Sequence, residues 1–299
     1  MTLVAEQIEA AATSVGTLCP LCGAASAWLF SKHEIGIRDC QSCGHRFAEL
    51  ASATDKHVER TYGDDYFLNG GAGYSDYLAE QRLLEAHGRR YARLLSKFTQ
   101  RPGEMLDVGA AAGFLLKGFI EAGWTGCGVE PNDRMASFAR ETLKLDVRTG
   151  TLEDIELDRQ FDLVNLIQVM AHFVDPHGAV QRVSELTRTG GLCLVETWDV
   201  ASWTAKLFGN NWHEYSPPSV LHWYSRRRLE SLFAEFGFRA IHFRRPRKFL
   251  EVQHGKSLLA HTWQGAFGSI VRGMLKLVPD RLAVPYPFDD VMCLVFQKG

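Results

Sequence analysis

The sequence predicts an α/β protein, a parallel sheet with helices on both faces, preceded by a small cysteine-rich ribbon. Three observations carry this expectation. From residue 105 onward short apolar runs alternate with amphipathic helical patterns, which implies parallel strands joined by crossover helices. A loop of small residues, Gly109-Ala-Ala-Ala-Gly113, directly follows the first of those runs. Near the N-terminus two Cys-x-x-Cys pairs, Cys19–Cys22 and Cys40–Cys43, stand seventeen residues apart.

Bulk properties bound the function. The 299 residues, 46% of them apolar, suffice for one large domain and a small appendage. A formal charge of −2 gives no global attraction to a polyanion, so nucleic acid is not an expected partner. The basic clusters at 226–228 and 244–248 read as solvated ends of elements. Of seven cysteines, four form tight pairs, which suits metal ligation in a reducing compartment. The N-terminus lacks a positive stretch followed by an apolar one, and no apolar run approaches the ~20 residues that span a bilayer. A cytoplasmic protein without a transmembrane segment is expected; its oligomeric state is left open.

Residues 1–50 are read as the ribbon, with a hairpin of Ala27–Phe30 against Glu34–Arg38 between the cysteine pairs. Residues 51–100 read as a helical lid or linker interrupted by the glycines of 69–73. The main domain, 101–299, begins with the strand Met105–Val108 and a helix packing Leu115, Leu116, Phe119 and Ile120. Thr125–Val129 is the next strand, and Met135, Phe138 and Ala139 mark the next helix. Phe161–Ile167 is a strand, and Asp175-Pro176 opens a helix, proline being suited to a first helical position. The strand Gly191–Val195, the helix of Leu229, Leu232 and Phe233, and the strand Val291–Phe296 complete the pattern. An aromatic insertion near 198–225 reads as the wall of an acceptor pocket, and a helical insertion near 255–282 carries an apolar stripe from Leu259 to Leu277.

An α/β sheet binds ligands at the carboxyl ends of its strands, so the loop Asp107-Val-Gly109-Ala-Ala-Ala-Gly113-Phe114 is the candidate site. A dinucleotide loop needs a third glycine where this chain has Phe114, and Asp107 would repel a pyrophosphate. The same carboxylate favours a cationic ammonium or sulfonium. Glu130, about twenty residues on, is placed to accept hydrogen bonds from a ribose diol.

These residues resemble the class I methyltransferases, whose acid-x-Gly-x-Gly-x-Gly signature matches Asp107 to Gly113 with Ala111 in place of the middle glycine. The resemblance implies S-adenosylmethionine as cofactor. Asp107, Gly109, Ala111 and Gly113 would then hold its methionine part, Glu130 its ribose, and the loop with Leu152 and Glu153 its adenine. Gln168 would end the strand that faces methyl transfer, and Tyr74 and Tyr77 would form a lid. Met170–Pro176, Gly190–Thr197 and Leu221–Phe238 are similar to a bacterial group related to ubiquinone-biosynthesis methyltransferases. That group has Leu-Glu-His where this chain has Met170-Ala171-His172.

The four cysteines Cys19, Cys22, Cys40 and Cys43 match a structural zinc site, two knuckles presenting four thiolates to one ion. A similar order of ribbon and catalytic domain occurs in bacterial ribosomal-RNA guanine methyltransferases. Their second knuckle has a histidine ligand where this chain has Cys43, with His45 two residues on.

Removing a proton from a hydroxyl acceptor needs a general base, and histidine is suited near neutral pH. His172, which follows the fourth strand on the cofactor-facing side, is the first candidate, and His213 and His222 in the aromatic insertion come next. The expected activity is methylation of a small or medium-sized metabolite, on oxygen. Two rivals stand beside it: an RNA methyltransferase that docks through its ribbon, and a non-catalytic scaffold or sensor built on the cofactor fold.

Overall fold

The computed structural model describes residues 17–49, 56–68, 77–246, 249–251, 283–286 and 288–299. In chain order, β1 (Ser26–Lys32), β2 (Ile35–Cys40) and β3 (Arg46–Ala48) precede α1 (Lys56–Thr61), α2 (Asp64–Leu68) and α3 (Gln81–Leu95). There follow β4 (Glu104–Val108), α4 (Phe114–Glu121), β5 (Thr125–Glu130), α5 (Asp133–Glu141), β6 (Val147–Thr149) and β7 (Phe161–Ile167). Next come α6 (Pro176–Leu186), β8 (Thr187–Trp198), α7 (Trp203–Phe208), β9 (His222–Trp223) and α8 (Arg226–Glu235). The chain closes with β10 (Phe238–Arg244), β11 (Phe249–Glu251), β12 (Ala283–Pro285) and β13 (Val291–Lys298).

Seven strands form one sheet of order β10-β13-β8-β7-β4-β5-β6. β4, β5 and β6 run parallel, as do β7 and β8, but β13 is antiparallel to both of its neighbours. The sheet is therefore mixed where the sequence suggested a parallel one. An apolar run such as Val291–Phe296 reports burial on both faces and is silent about strand direction. The short strands β3, β6 and β9 carry too little periodicity to be read from sequence. The helical insertion at 255–282 and Tyr74 lie outside the described residues.

The chain divides into two compact units. In the unit of Val58–Ile155 and Arg245–Phe288, the carboxyl ends of β4, β5 and β6 align, with Asp107 beside Gly128 and Glu130 beside Thr149. Helices α3 and α4 meet there backbone to backbone. A Cβ at Gly88 would lie 2.3 Å from the Leu115 carbonyl oxygen, and one at Gly118 would lie 2.2 Å from that of Glu85. Only hydrogen fits at either place. Lys117 Nζ, 2.8 Å from Glu85 Oε1, ties the same helices at the rim.

The other unit comprises Met1–His57, Glu156–Arg244 and Asp289–Gly299. Its helix starts follow from side-chain capping. Asp175 accepts from the amides of His177 and Gly178, both at 3.0 Å, ahead of Pro176. Ser202 caps α7 and Ser225 caps α8. A small antiparallel sheet of order β1-β2-β3-β9 holds the ribbon. Its fourth strand comes from the 198–225 insertion, so the ribbon's sheet is not completed within residues 1–50. Trp212, Tyr215 and Trp223 of that insertion are buried against Phe30, Ile37 and Ala48.

Gly118→Ala is expected to lower stability by about 1–3 kcal/mol, because an added methyl must displace backbone and not a flexible side chain. Urea denaturation of the variant beside the wild type measures this. An unchanged midpoint would show that the helices separate freely.

Candidate active site

The loop after β4 owes its shape to three residues in the left-handed region: Gly109 (φ 67°), Ala111 (φ 47°) and Gly113 (φ 79°). Alanine is strained there, and the surroundings hold it: Ala111 N donates to Glu130 Oε2 at 2.8 Å. Glu130 Oε1 accepts from Asn132 N, also at 2.8 Å, and the Glu130 carbonyl accepts from Gly150 N at 3.0 Å. One residue at the tip of β5 thus fixes the small-residue loop, the start of α5 and the turn carrying Leu152 and Glu153. Asn132 caps α5 by accepting from Met135 N at 2.9 Å, and its amide donates to the Tyr62 carbonyl at 3.0 Å.

Asp107, Leu152 and Glu130 are buried, whereas Glu153 is exposed. Burial pushes the Glu130 carboxyl up to about 7, against the opposing effect of the two amides it accepts. Each of its oxygens has a second lone pair for a ligand hydroxyl. Tyr77 is buried and stacks on Phe114 with ring centroids 5.5 Å apart, so its ring forms part of the core under the loop. Small residues, left-handed backbone and two buried carboxylates thus stand together at the ends of β4 and β5.

The three histidine candidates stand in the other unit with different surroundings. His172 donates from Nδ1 to the Ser219 carbonyl at 2.6 Å and has the Gln168 backbone as a further partner. Gln168 itself is left-handed (φ 60°), and its amide donates to Glu196 Oε1 at 2.9 Å. His222 is buried, with Nδ1 3.1 Å from His45 Nε2, and burial pushes it down to about 4. His213 differs from both. Its Nε2 lies 2.9 Å from Glu214 Oε1 and 3.8 Å from Asp290 Oδ2. Burial works against its charged form, but the hydrogen bond and charge of Glu214, with Asp290, outweigh it and raise the pKa above the ordinary value. Asp290 also accepts from Trp212 Nε1 at 2.8 Å.

Sequence reasoning missed Glu214, Asp290 and Asn132. Glu214 was signalled by adjacency to His213, whereas Asp290 is brought in by the pairing of β13 with β8 and carries no local signal.

The four cysteine sulfurs lie within 4.8 Å of one another, with Cys19–Cys43 at 3.7 Å and Cys22–Cys40 at 3.4 Å. A tetrahedral ion with bonds of about 2.3 Å sets its sulfurs about 3.8 Å apart, so the spacing fits. Leu21 N and Cys43 N donate to the sulfurs of Cys19 and Cys40 at 3.4 and 3.3 Å. Such amides stabilise thiolate: Cys40, which burial alone would raise, is lowered to about 6 by the amides of Cys43 and Ser42. Gly23 and Gly44 close the two knuckle turns. Cys127, Cys193 and Cys293 are separate and buried. Among the described residues no helix is long and apolar enough to cross a membrane.

A family model described as a methyltransferase domain matches residues 78–242. The chain is 28% identical over 121 residues to a ubiquinone biosynthesis O-methyltransferase of Rhodopseudomonas palustris, covering 38% of this chain and 48% of that protein. It is 28% identical over 152 residues to the protein of that name from Nitrobacter winogradskyi, covering 49% and 56%. The chain thus spans about half the length of the curated relatives it matches. Among solved structures, the methyltransferase in complex with the Haloferax volcanii Trm112 activator shares the fold at a TM-score of 0.52 and 15% identity, covering 74% of this chain and 93% of that one.

Desolvated histidines are expected to weaken the fold at acid pH. His57, His172 and His222 are all held below their ordinary values by burial, His222 at about 4. The unfolded chain therefore binds more protons as pH falls; the contribution of His222 is complete above about 6.5 and is lost toward about 4, and those of His57 and His172 fall in the same direction. Glu130, raised to about 7, acts oppositely, its contribution being lost as pH rises through that value. Urea midpoints at pH 7, 6 and 5 test this; a constant midpoint would refute it.

Proposed function

Because the chain belongs to the methyltransferase-domain family, we propose that it transfers the methyl group of S-adenosylmethionine to a hydroxyl of a small or medium-sized metabolite. The observation that carries this reading is the cradle at the ends of β4 and β5, where Asp107 and Glu130 flank a left-handed loop of small residues. S-adenosylmethionine supplies an electrophilic methyl on a positively charged sulfur. Asp107 and the 109–113 loop would bind the methionine part, Asp107 countering its ammonium. Glu130 would accept the ribose hydroxyls, and the turn with Leu152 and Glu153 would border the adenine. Gln168, held by Glu196, would stand at the acceptor side.

His213 is the general base in this reading. Donation from Nε2 to Glu214 selects the tautomer whose basic lone pair is on Nδ1. Taking a proton there makes an imidazolium beside two carboxylates, which stabilise it as an aspartate does in a catalytic triad. His172 and His222 serve as internal hydrogen-bonding residues. Zinc at Cys19, Cys22, Cys40 and Cys43 is structural, four thiolates leaving no open position for catalysis. Such a site needs a reducing compartment, which favours the cytoplasm.

Calorimetric titration of the metal-replete protein with S-adenosylmethionine and S-adenosylhomocysteine tests the cradle. Saturable binding is expected, weakened at least about tenfold by Asp107→Ala and by Glu130→Ala, roughly 1.4 kcal/mol each. No binding by folded wild type would sink the proposal. On a hydroxyl acceptor found by screening, His213→Ala should lower kcat by about 10²–10⁴. With wild type, kcat rises as pH passes upward through the His213 pKa. Glu214→Gln removes a charge that raises this pKa, so the acid limb should move to lower pH; an unmoved limb would exclude His213 as the base.

A further inference from the structure

The buried aromatic residues of the 211–224 segment do not form an open wall. They form the far side of the ribbon's own core, and the connection can be followed residue by residue. The second knuckle runs straight into β3: Gly44 N donates to the Cys40 carbonyl at 3.0 Å and Cys40 N to that of His45 at 2.9 Å. β3 pairs with β9, Arg46 opposite Trp223 and Phe47 opposite His222, and Ala48 N donates to the Leu221 carbonyl at 2.8 Å. The Arg46 guanidinium grips Asp39 with two bonds of 2.7 Å and donates from its remaining nitrogen to the Tyr215 hydroxyl. Tyr215 packs edge-on against Phe30, Trp212 and Trp223 at 5.0, 5.2 and 5.0 Å. Trp212 in turn holds Asp290, which flanks His213.

Beyond the core it shares with the 211–224 segment, the cysteine tip of the ribbon has little apolar packing of its own. The buried cluster at its tip consists of Cys19, Cys40 and Phe47, so two of its three core residues are metal-ligand candidates. A core that small needs an ion to be stable.

We propose that the four-cysteine centre is a positioning device for the 211–224 segment: an ion at the cysteines sets β3, and β3, through β9 and the Arg46–Tyr215 contact, sets the loop that carries His213. Arg46 is thereby a positioning residue. Its fork spans two partners that a lysine could not hold together. The value of this coupling for catalysis rests on His213 being the base; the coupling itself does not.

The test is hydrogen–deuterium exchange of the full chain, metal-loaded and stripped with a chelator, together with NMR titration of the His213 ring. His213 is faced by Glu214 and Asp290 and by the rings of Trp198 and Trp212. Stripping should raise exchange across 211–224 at least tenfold, move the His213 titration down toward the ordinary histidine value, and leave exchange across 104–149 unchanged. Arg46→Ala, with metal retained, should change the same two readouts in the same direction. If both preparations leave 211–224 and His213 as in the wild type, the proposal is wrong. A uniform rise that includes 104–149 would also overturn it, since the centre would then support the whole chain and not this segment. A wild type that fails to bind S-adenosylhomocysteine would defeat the functional reading alone, because neither readout here depends on cofactor.

Discussion

Glu130 carries a carboxyl group into an interior that offers it little water, and two backbone amides answer it. A carboxylate left unanswered there would be strongly destabilising, so the amides of Ala111 and Asn132 are required to stay where they are. That requirement holds Ala111 in a conformation it would otherwise leave. It sets the angle at which the loop enters α4 and places Asn132 to cap α5. Gly150 then hangs the following turn on the same residue's carbonyl. The small-residue loop, the start of α5 and the turn after β6 are the segments obliged to satisfy this single residue.

The other unit is organised on a different principle. In it, burial opposes protonation of His45, His172 and His222, whose partners are backbone carbonyls or another imidazole. His213 stands apart because its partners are carboxylates, and it is the partner, not the residue type, that separates a basic ring from an inert one. The three histidines that the sequence offered, His172 ahead of His213 and His222, acquire different chemistry from different neighbours.

What could be read from the sequence was whatever one continuous stretch of chain decides. The apolar runs of β4, β7 and β13, the cap and proline at Asp175-Pro176, and the loop from Asp107 to Gly113 each contain their own cause. The place of Glu130 beside that loop was legible because the strand–helix–strand unit fixes its distance, and the clustering of the four cysteines because their spacing lets two knuckles meet. The direction of β13, the pairing of β3 with β9, and Asp290 beside Trp212 and His213 depend on parts of the chain far apart. Strands of two or three residues show no period, and their pairing is decided by what the rest of the fold leaves beside them. The aromatic residues of the insertion were recognisable as a cluster, but whether they faced a pocket or a core depended on the position of the ribbon.

The β3–β9 pairing also bears on how the protein is made. His45 and His222, which meet at that seam, are separated by 177 residues. At about 5–20 residues per second on the ribosome, roughly 10–35 s pass between the emergence of one and the other. Through that interval β3 presents a bare strand edge, the feature most open to adventitious pairing with another nascent chain. Early capture of an ion by the cysteine knuckles would shorten the exposure only in part, since it tightens the turn but adds no partner strand. The ribbon is therefore not a portable module: excised near residue 50 it would carry its open edge with it, and its solubility would depend on the half of the molecule left behind.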